Sequence, residues 1–195
     1  MAQDLNSPDF DRPLTPRAQE VVAAASQEFA LHGFAGATTD AIARRADVSQ
    51  PYVVRLFGSK ERLFLRCART AHEQVCSVFR DAIATTEQRP VPPIVLGTAY
   101  QSMLTKDSVV LQLMVQQHAM GQHPTIGPIV RQWFVDMYSI LRHEAAFTED
   151  MARTFVARGM LINTLLSLGL TADDQDSAEL LRYLAPEGQR PPTGH

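Results

Sequence analysis

The stretch TTDAIARRADVSQPYVVRLFGSK, residues 38–60, sets two helix starts and a tight turn within a short span. Thr38 or Thr39 can cap a helix that runs to about Ala46. Asp47 occupies the turn, and Val48 drops back toward the core. Ser49 then caps a third helix. Pro51 is tolerated there because the amide it lacks would be unpaired in the first turn anyway. Gly58-Ser59 ends that helix, and Ser59 can cap a fourth. Two short helices joined by a tight turn, braced by a longer helix on either side, predict a helix-turn-helix.

Such a unit lays its second helix in the major groove while the first crosses the backbone. Val53, Phe57 and, less cleanly, Val54 and Leu56 form the inner side of the third helix. Gln50, Pro51, Tyr52 and Arg55 are left outward, with Tyr52 and Arg55 adjoining at a three-residue spacing. Arg can donate two hydrogen bonds to guanine, Gln can pair with adenine, and Pro or Tyr carbon can pack on a thymine methyl. Thr39, Ser49 and Lys60 stand at helix starts, where hydroxyls, free amides and an ammonium can grip phosphate. Arg44 and Arg45 close the second helix, where cations favour the helix dipole.

Outward from this stretch the whole chain reads as helix punctuated by Pro, Gly and Asp, without the alternation a sheet requires. A first helix opens at Thr15-Pro16, carries Val21, Val22, Ala25 and Phe29 as its apolar stripe, and stops at His32-Gly33. The fourth, KERLFLRCARTAHEQVCSVFRDAIATTE, continues the stripe with Leu63, Phe64, Cys67 and Ala71. After QRPVPP come helices at about 93–104, 108–120, 126–145, 148–169 and 177–184.

Residues 21–65 resemble the N-terminal DNA-binding domain of the tetracycline-repressor (TetR) family. FALHGF, TTDAIARRADVS, QPYVVRLF and FGSKERL stand where that family has a helix ending in Phe-x-x-x-Gly-Phe/Tyr, Thr-Thr-x-x-x-Ile-Ala-x-x-Ala-Gly-Val-Ser, a recognition helix and Phe-x-Ser-Lys-x-x-Leu. Four departures stand out. Asp47 replaces the turn glycine, which its tolerance of left-handed backbone allows. Val54 takes the slot of a phosphate-touching tyrosine, a contact that Tyr52 and Arg55 can replace. Leu56 stands where His or Tyr is common. Glu28 takes an apolar position of the first helix and is expected to turn to solvent.

The resemblance implies an all-α chain: an N-terminal three-helix helix-turn-helix domain followed by a larger helical ligand-binding and dimerisation domain. The expected division is an acidic arm over 1–14, the DNA-binding domain over 15–65, the larger domain over 66–186 and a flexible tail over 187–195. Phosphate roles carry over to Thr39 and Lys60, and base reading to Gln50, Pro51, Tyr52 and Arg55. The partners implied are a palindromic double-stranded operator, a second copy of the chain, and a mostly hydrophobic small molecule. The function implied is a ligand-released repressor. A ligand-dependent activator, or an all-α binding protein that does not use DNA, is the alternative.

The larger half is read from its own residues. Met103, Met114, Trp133, Met137, Tyr138 and Phe155 are candidate pocket residues, since Met and aromatics suit an adaptable apolar cavity. Gln116, Gln117 or His118 would be its polar anchor. The segment TEDMARTFVARGMLINTLLSLGL is apolar around most of its circumference toward the end, so it needs more than one buried side. Phe155, Gly159, Ile162, Asn163 and Leu166 recur at three- and four-residue steps. With Leu180 and Tyr183 of SAELLRYLAP they are the expected dimer contact.

Composition bounds the remaining classes. Formal net charge is −3, yet residues 15–69 count to +3, a mildly basic block suited to a polyanion. No apolar run could span a membrane, and MAQDLNSPDFDRP lacks a signal-peptide core, which predicts a cytoplasmic chain. Cys67 and Cys76 sit half a turn out of phase and are expected to be buried and unpaired. His118 and His123 lack further donors for a metal. No nucleophile elbow, phosphate loop or paired-carboxylate site occurs, so neither catalysis nor a cofactor is expected.

Overall fold

A computed structural model describes residues 13–170. The described residues form eight α-helices and no strand: α1 Pro16–Gly36, α2 Thr39–Arg45, α3 Gln50–Phe57, α4 Lys60–Ala84, α5 Pro93–Lys106, α6 Ser108–Ala119, α7 Gly127–Ser139 and α8 Glu149–Ser167. The expected helix at 177–184, the tail, most of the acidic arm, and with them Leu180 and Tyr183, lie outside the described residues.

Local chemistry sets these boundaries. The Thr15 hydroxyl accepts from the Ala18 amide, Thr38 from Ala41, Ser49 from Tyr52, and Thr148 from Met151. Each satisfies one amide that the first helical turn leaves without a partner. Gly33 has φ 68° and ψ 173°, so the helix breaks there and restarts for a short turn to Gly36. Asp47 has φ 51°, the left-handed backbone expected of the turn.

The described residues divide into two compact units, one running to Ser77 and including Lys106–Asp136, the other comprising Val78–Thr105 and the residues from Met137 on. In the first, α1 packs against α2 and α6, and α2 against α3. Its centre is an aromatic cluster: the Phe29 ring meets Phe64 edge-on at 5.1 Å, and Phe34 meets Phe64 at 5.3 Å. Val21, Ile42, Val53 and Leu63 of the same unit are each essentially inaccessible to water. Cys67 points into this unit, its thiol toward the Val22 carbonyl, and burial pushes its pKa up to about 12. In the second, Phe155 packs edge-on to Phe79 and Phe147, and the Tyr100 hydroxyl donates to Asn163 Oδ1 at 2.9 Å.

Four expectations are corrected. Glu28 does not face solvent: it is 5 % exposed, and Arg45 Nε donates to its Oε1 at 2.7 Å. A carboxylate can occupy that apolar position because a cation from α2 reaches it. Val54 and Leu56 are exposed rather than inner, since each lies about 100° around the helix from the buried Val53 or Phe57. Helix α4 ends at Ala84, where the Thr85 hydroxyl turns back onto the Ala82 carbonyl, rather than running on through TTE. The helix expected over 126–145 is α-helical to Ser139 and then widens into a π-helical turn, Ile140–Glu144.

Candidate nucleic-acid interface

The outward side of α3 is built from its cap upward. Ser49 stands in extended backbone at the cap, Pro51 follows within the first turn, and Val53 and Phe57 fix the inner face. Gln50, Pro51 and Arg55 are therefore exposed, with Tyr52 half-buried beside them. The Arg55 guanidinium carbon lies 5.5 Å from the centre of the Tyr52 ring. That stacking holds a planar five-donor fork against a flat ring, a surface that offers hydrogen bonds to base edges and carbon to a thymine methyl.

The first residues of α2 and α3 are tied together, Gln50 Nε2 donating to Thr39 Oγ1 at 3.2 Å. The Thr39 and Ser49 hydroxyls thus stand at two adjacent helix starts. Lys60 is held inward of them: its Nζ donates to the Ala37 carbonyl at 3.0 Å and lies 4.7 Å from the Phe34 ring centre. Val54 is an exposed aliphatic side chain.

The two neighbouring arginines of α2 part company. Arg44 pairs with Asp40 on the surface of its own helix. Arg45 reaches Glu28 and also donates to Gln27 Oε1 at 3.1 Å, which spends it on α1. Arg17 was not singled out from sequence, yet its Nη2 donates to the Asp47 carbonyl at 2.6 Å and braces the turn. Its partner lies 30 residues away, a relation no local pattern displays.

The expected pocket residues divide between the units: Met114, His118 and Trp133 in the first, Met103, Met137, Tyr138 and Phe155 in the second. In the first unit Trp133 stacks on His72, and His118 stands edge-on to Phe134. Burial lowers the His118 pKa. Gln116 lies over the break in α1, where a β-carbon added to Gly33 would come within 3.3 Å of its amide oxygen. No three His, Cys, Asp or Glu among the described residues are grouped to hold a metal ion.

On α8, Asn163 and Phe155 are turned into the second unit by the contacts above, while Gly159, Ile162 and Leu166 are half-buried. Three large apolar residues not singled out from sequence are the exposed ones: Met160 at 47 %, Leu161 at 43 % and Leu168 at 68 %. Among the described residues, no helix is long and apolar enough to cross a membrane.

Residues 21–67 match the family described as bacterial regulatory proteins, tetR family. The fold is also that of solved regulators. A TetR-like transcriptional regulator from Rhodococcus sp. RHA1 is 22% identical, with a TM-score of 0.62 over 89% of this chain and 95% of that one. The multidrug binding protein EbrR complexed with imidazole is 22% identical, with a TM-score of 0.60 over 99% of this chain and 100% of that one. The fatty acid degradation regulator FadR from Bacillus halodurans is 14% identical, with a TM-score of 0.65 over 89% and 94% of the two chains. At these identities the likeness is one of fold. No curated protein matches the sequence.

Proposed function

We propose that the chain, whose residues 21–67 match the tetR family of bacterial regulatory proteins, is a DNA-binding transcriptional regulator, a homodimeric repressor released from a palindromic operator by a small molecule. The observation that carries the reading is α3 itself, a helix of eight residues with two side chains buried and Gln50, Pro51, Tyr52 and Arg55 outward. A helix this short has little else to stabilise, and its outward chemistry suits base edges.

Phosphate contacts fall to Thr39, Ser49 and the free amides at the starts of α2 and α3. Lys60, occupied with carbonyls, fixes the end of α1 against the start of α4 and adds positive charge near the backbone path. Dimerisation supplies the second half-site, because two recognition helices about one DNA turn apart read a palindrome. The exposed Met160 and Leu161 of α8 and Leu168 at its C-cap, flanked by Gly159, Ile162 and Leu166, support that face as the contact between copies.

Release requires only that the effector bind one arrangement of the domains better than the other. A coupling of about 1–3 kcal/mol gives a useful switch. Solved EbrR complexes hold imidazole and malachite green, which supports a small-molecule effector for a chain of this fold.

The test is selection from genomic duplex fragments at physiological salt, beside a Tyr52→Ala/Arg55→Ala variant. The expected result is a recovered palindrome that the variant loses. Recovery of no sequence would favour a helical binding protein that does not use DNA.

A further inference from the structure

Gln117 of α6 is 4 % exposed and lies in the first unit. Its Nε2 donates to Met114 Sδ at 3.0 Å, and its Oε1 accepts no hydrogen bond from any described residue. It is the one such buried side-chain oxygen or nitrogen among the described residues. Turning the carboxamide over would set its oxygen against the thioether sulfur, acceptor against acceptor, so the oxygen is the atom left over. Buried carbonyl oxygens are almost always paired, because leaving one unpaired costs the full loss of its hydration.

The same unit also carries flat aromatic surfaces. His118, next along α6, meets Phe134 of α7 edge-on at 6.0 Å. Trp133, the preceding residue of α7, lies nearly parallel to His72 of α4, 11° between planes and 5.6 Å between centres. Such faces suit a planar ring. Charge narrows the class further. Glu28 is the single buried carboxylate among the described residues, and Arg45 already neutralises it. A cation entering this interior would find no other fully buried carboxylate among the described residues to pair with.

We propose that Gln117 Oε1 anchors the effector, and that the effector is a neutral, planar ring compound carrying an N–H or O–H donor. This deepens, and rests on, the reading of the chain as a ligand-responsive regulator. The carboxamide accepts the donor, and the aromatic side chains of the same unit suit the planar body.

The probes are 2-naphthol and 2-methoxynaphthalene, which differ in one donor hydrogen, and the cation ethidium. Each is titrated calorimetrically into the full chain without DNA. Wild type should bind 2-naphthol about tenfold more tightly than its methyl ether. Gln117→Met should bring that ratio to about one without lowering the unfolding midpoint, since it removes an unpaired oxygen. Gln117→Glu should keep the preference and raise ethidium affinity by about tenfold, because it adds the missing anion. If Gln117→Met fails to fold, the Glu variant still decides.

Equal binding of the two naphthalenes by wild type, or binding of neither, would overturn the proposal. So would a preference that survives Gln117→Met, or no gain for ethidium in Gln117→Glu. The titration holds no DNA, so its failure leaves the DNA-binding reading standing. Failure to bind DNA, conversely, would not alter these affinities.

Discussion

Helices α3 and α8 both expose large side chains, but of opposite kinds. On α3 the exposed set is Gln50, Pro51 and Arg55, with Tyr52 stacked beside the arginine. On α8 and its C-cap it is Met160, Leu161 and Leu168. A hydrated, highly charged groove can satisfy the first set, because its edges donate and accept hydrogen bonds. Only an apolar surface repays covering the second. The two helices are thus suited to different partners, and each inner face decides what the outer one presents.

The inner face of the first unit rests on Phe64. Phe64→Ala removes the ring that both Phe29 and Phe34 pack against, and should cost about 3–5 kcal/mol in chemical denaturation. A loss below about 1 kcal/mol would mean that α3 does not depend on this core. Leu161→Asp probes α8. It should weaken self-association on the order of a hundredfold in sedimentation equilibrium, since a two-fold contact would bury the charge twice. The folding stability of the protomer should change by only about 0.5 kcal/mol, because Leu161 is exposed. Unchanged association would remove α8 as the contact.

The paired arginines of α2 sharpen the distinction between holding and reading. Arg45→Ala leaves the Glu28 carboxylate buried without its closest cation and should cost about 1–3 kcal/mol of stability. Arg44→Ala, which breaks only a surface pair on one helix, should cost at most about 0.5 kcal/mol. Equal losses would contradict the burial of Glu28. The smallest effect is expected at the turn. Asp47→Gly relieves a residue at φ 51° and should stabilise by up to about 1 kcal/mol, with α3 unmoved.

The sequence made the helix-turn-helix readable because its signals are local. The hydroxyl caps Thr38 and Ser49, the proline of α3's first turn, and the breaks at Gly33 and Gly58 all act within a few residues of themselves. What stayed hidden depends on distant partners. Glu28 looks like a surface residue until Arg45, 17 residues on, is brought to it. Asn163 belongs to a helix face that looks free until the Tyr100 hydroxyl, 63 residues away, claims it. The sidedness of α8 was unreadable for a different reason. Its apolar residues run nearly all the way round, so periodicity could not say which side packs inward. The π-helical turn at Ile140–Glu144 keeps an apolar pattern while changing the hydrogen-bond step, and pattern alone does not register that change.

Base reading by the outward face of α3 is open to a direct test. The affinity of Arg55→Ala and of wild type would be compared across a recovered duplex and all of its single-base variants. The expected result is a loss of about 1–3 kcal/mol on the recovered sequence, with preference relaxed at one base position per half-site. An equal loss on every sequence, or no loss at all, would show that Arg55 meets phosphate or solvent and would contradict it.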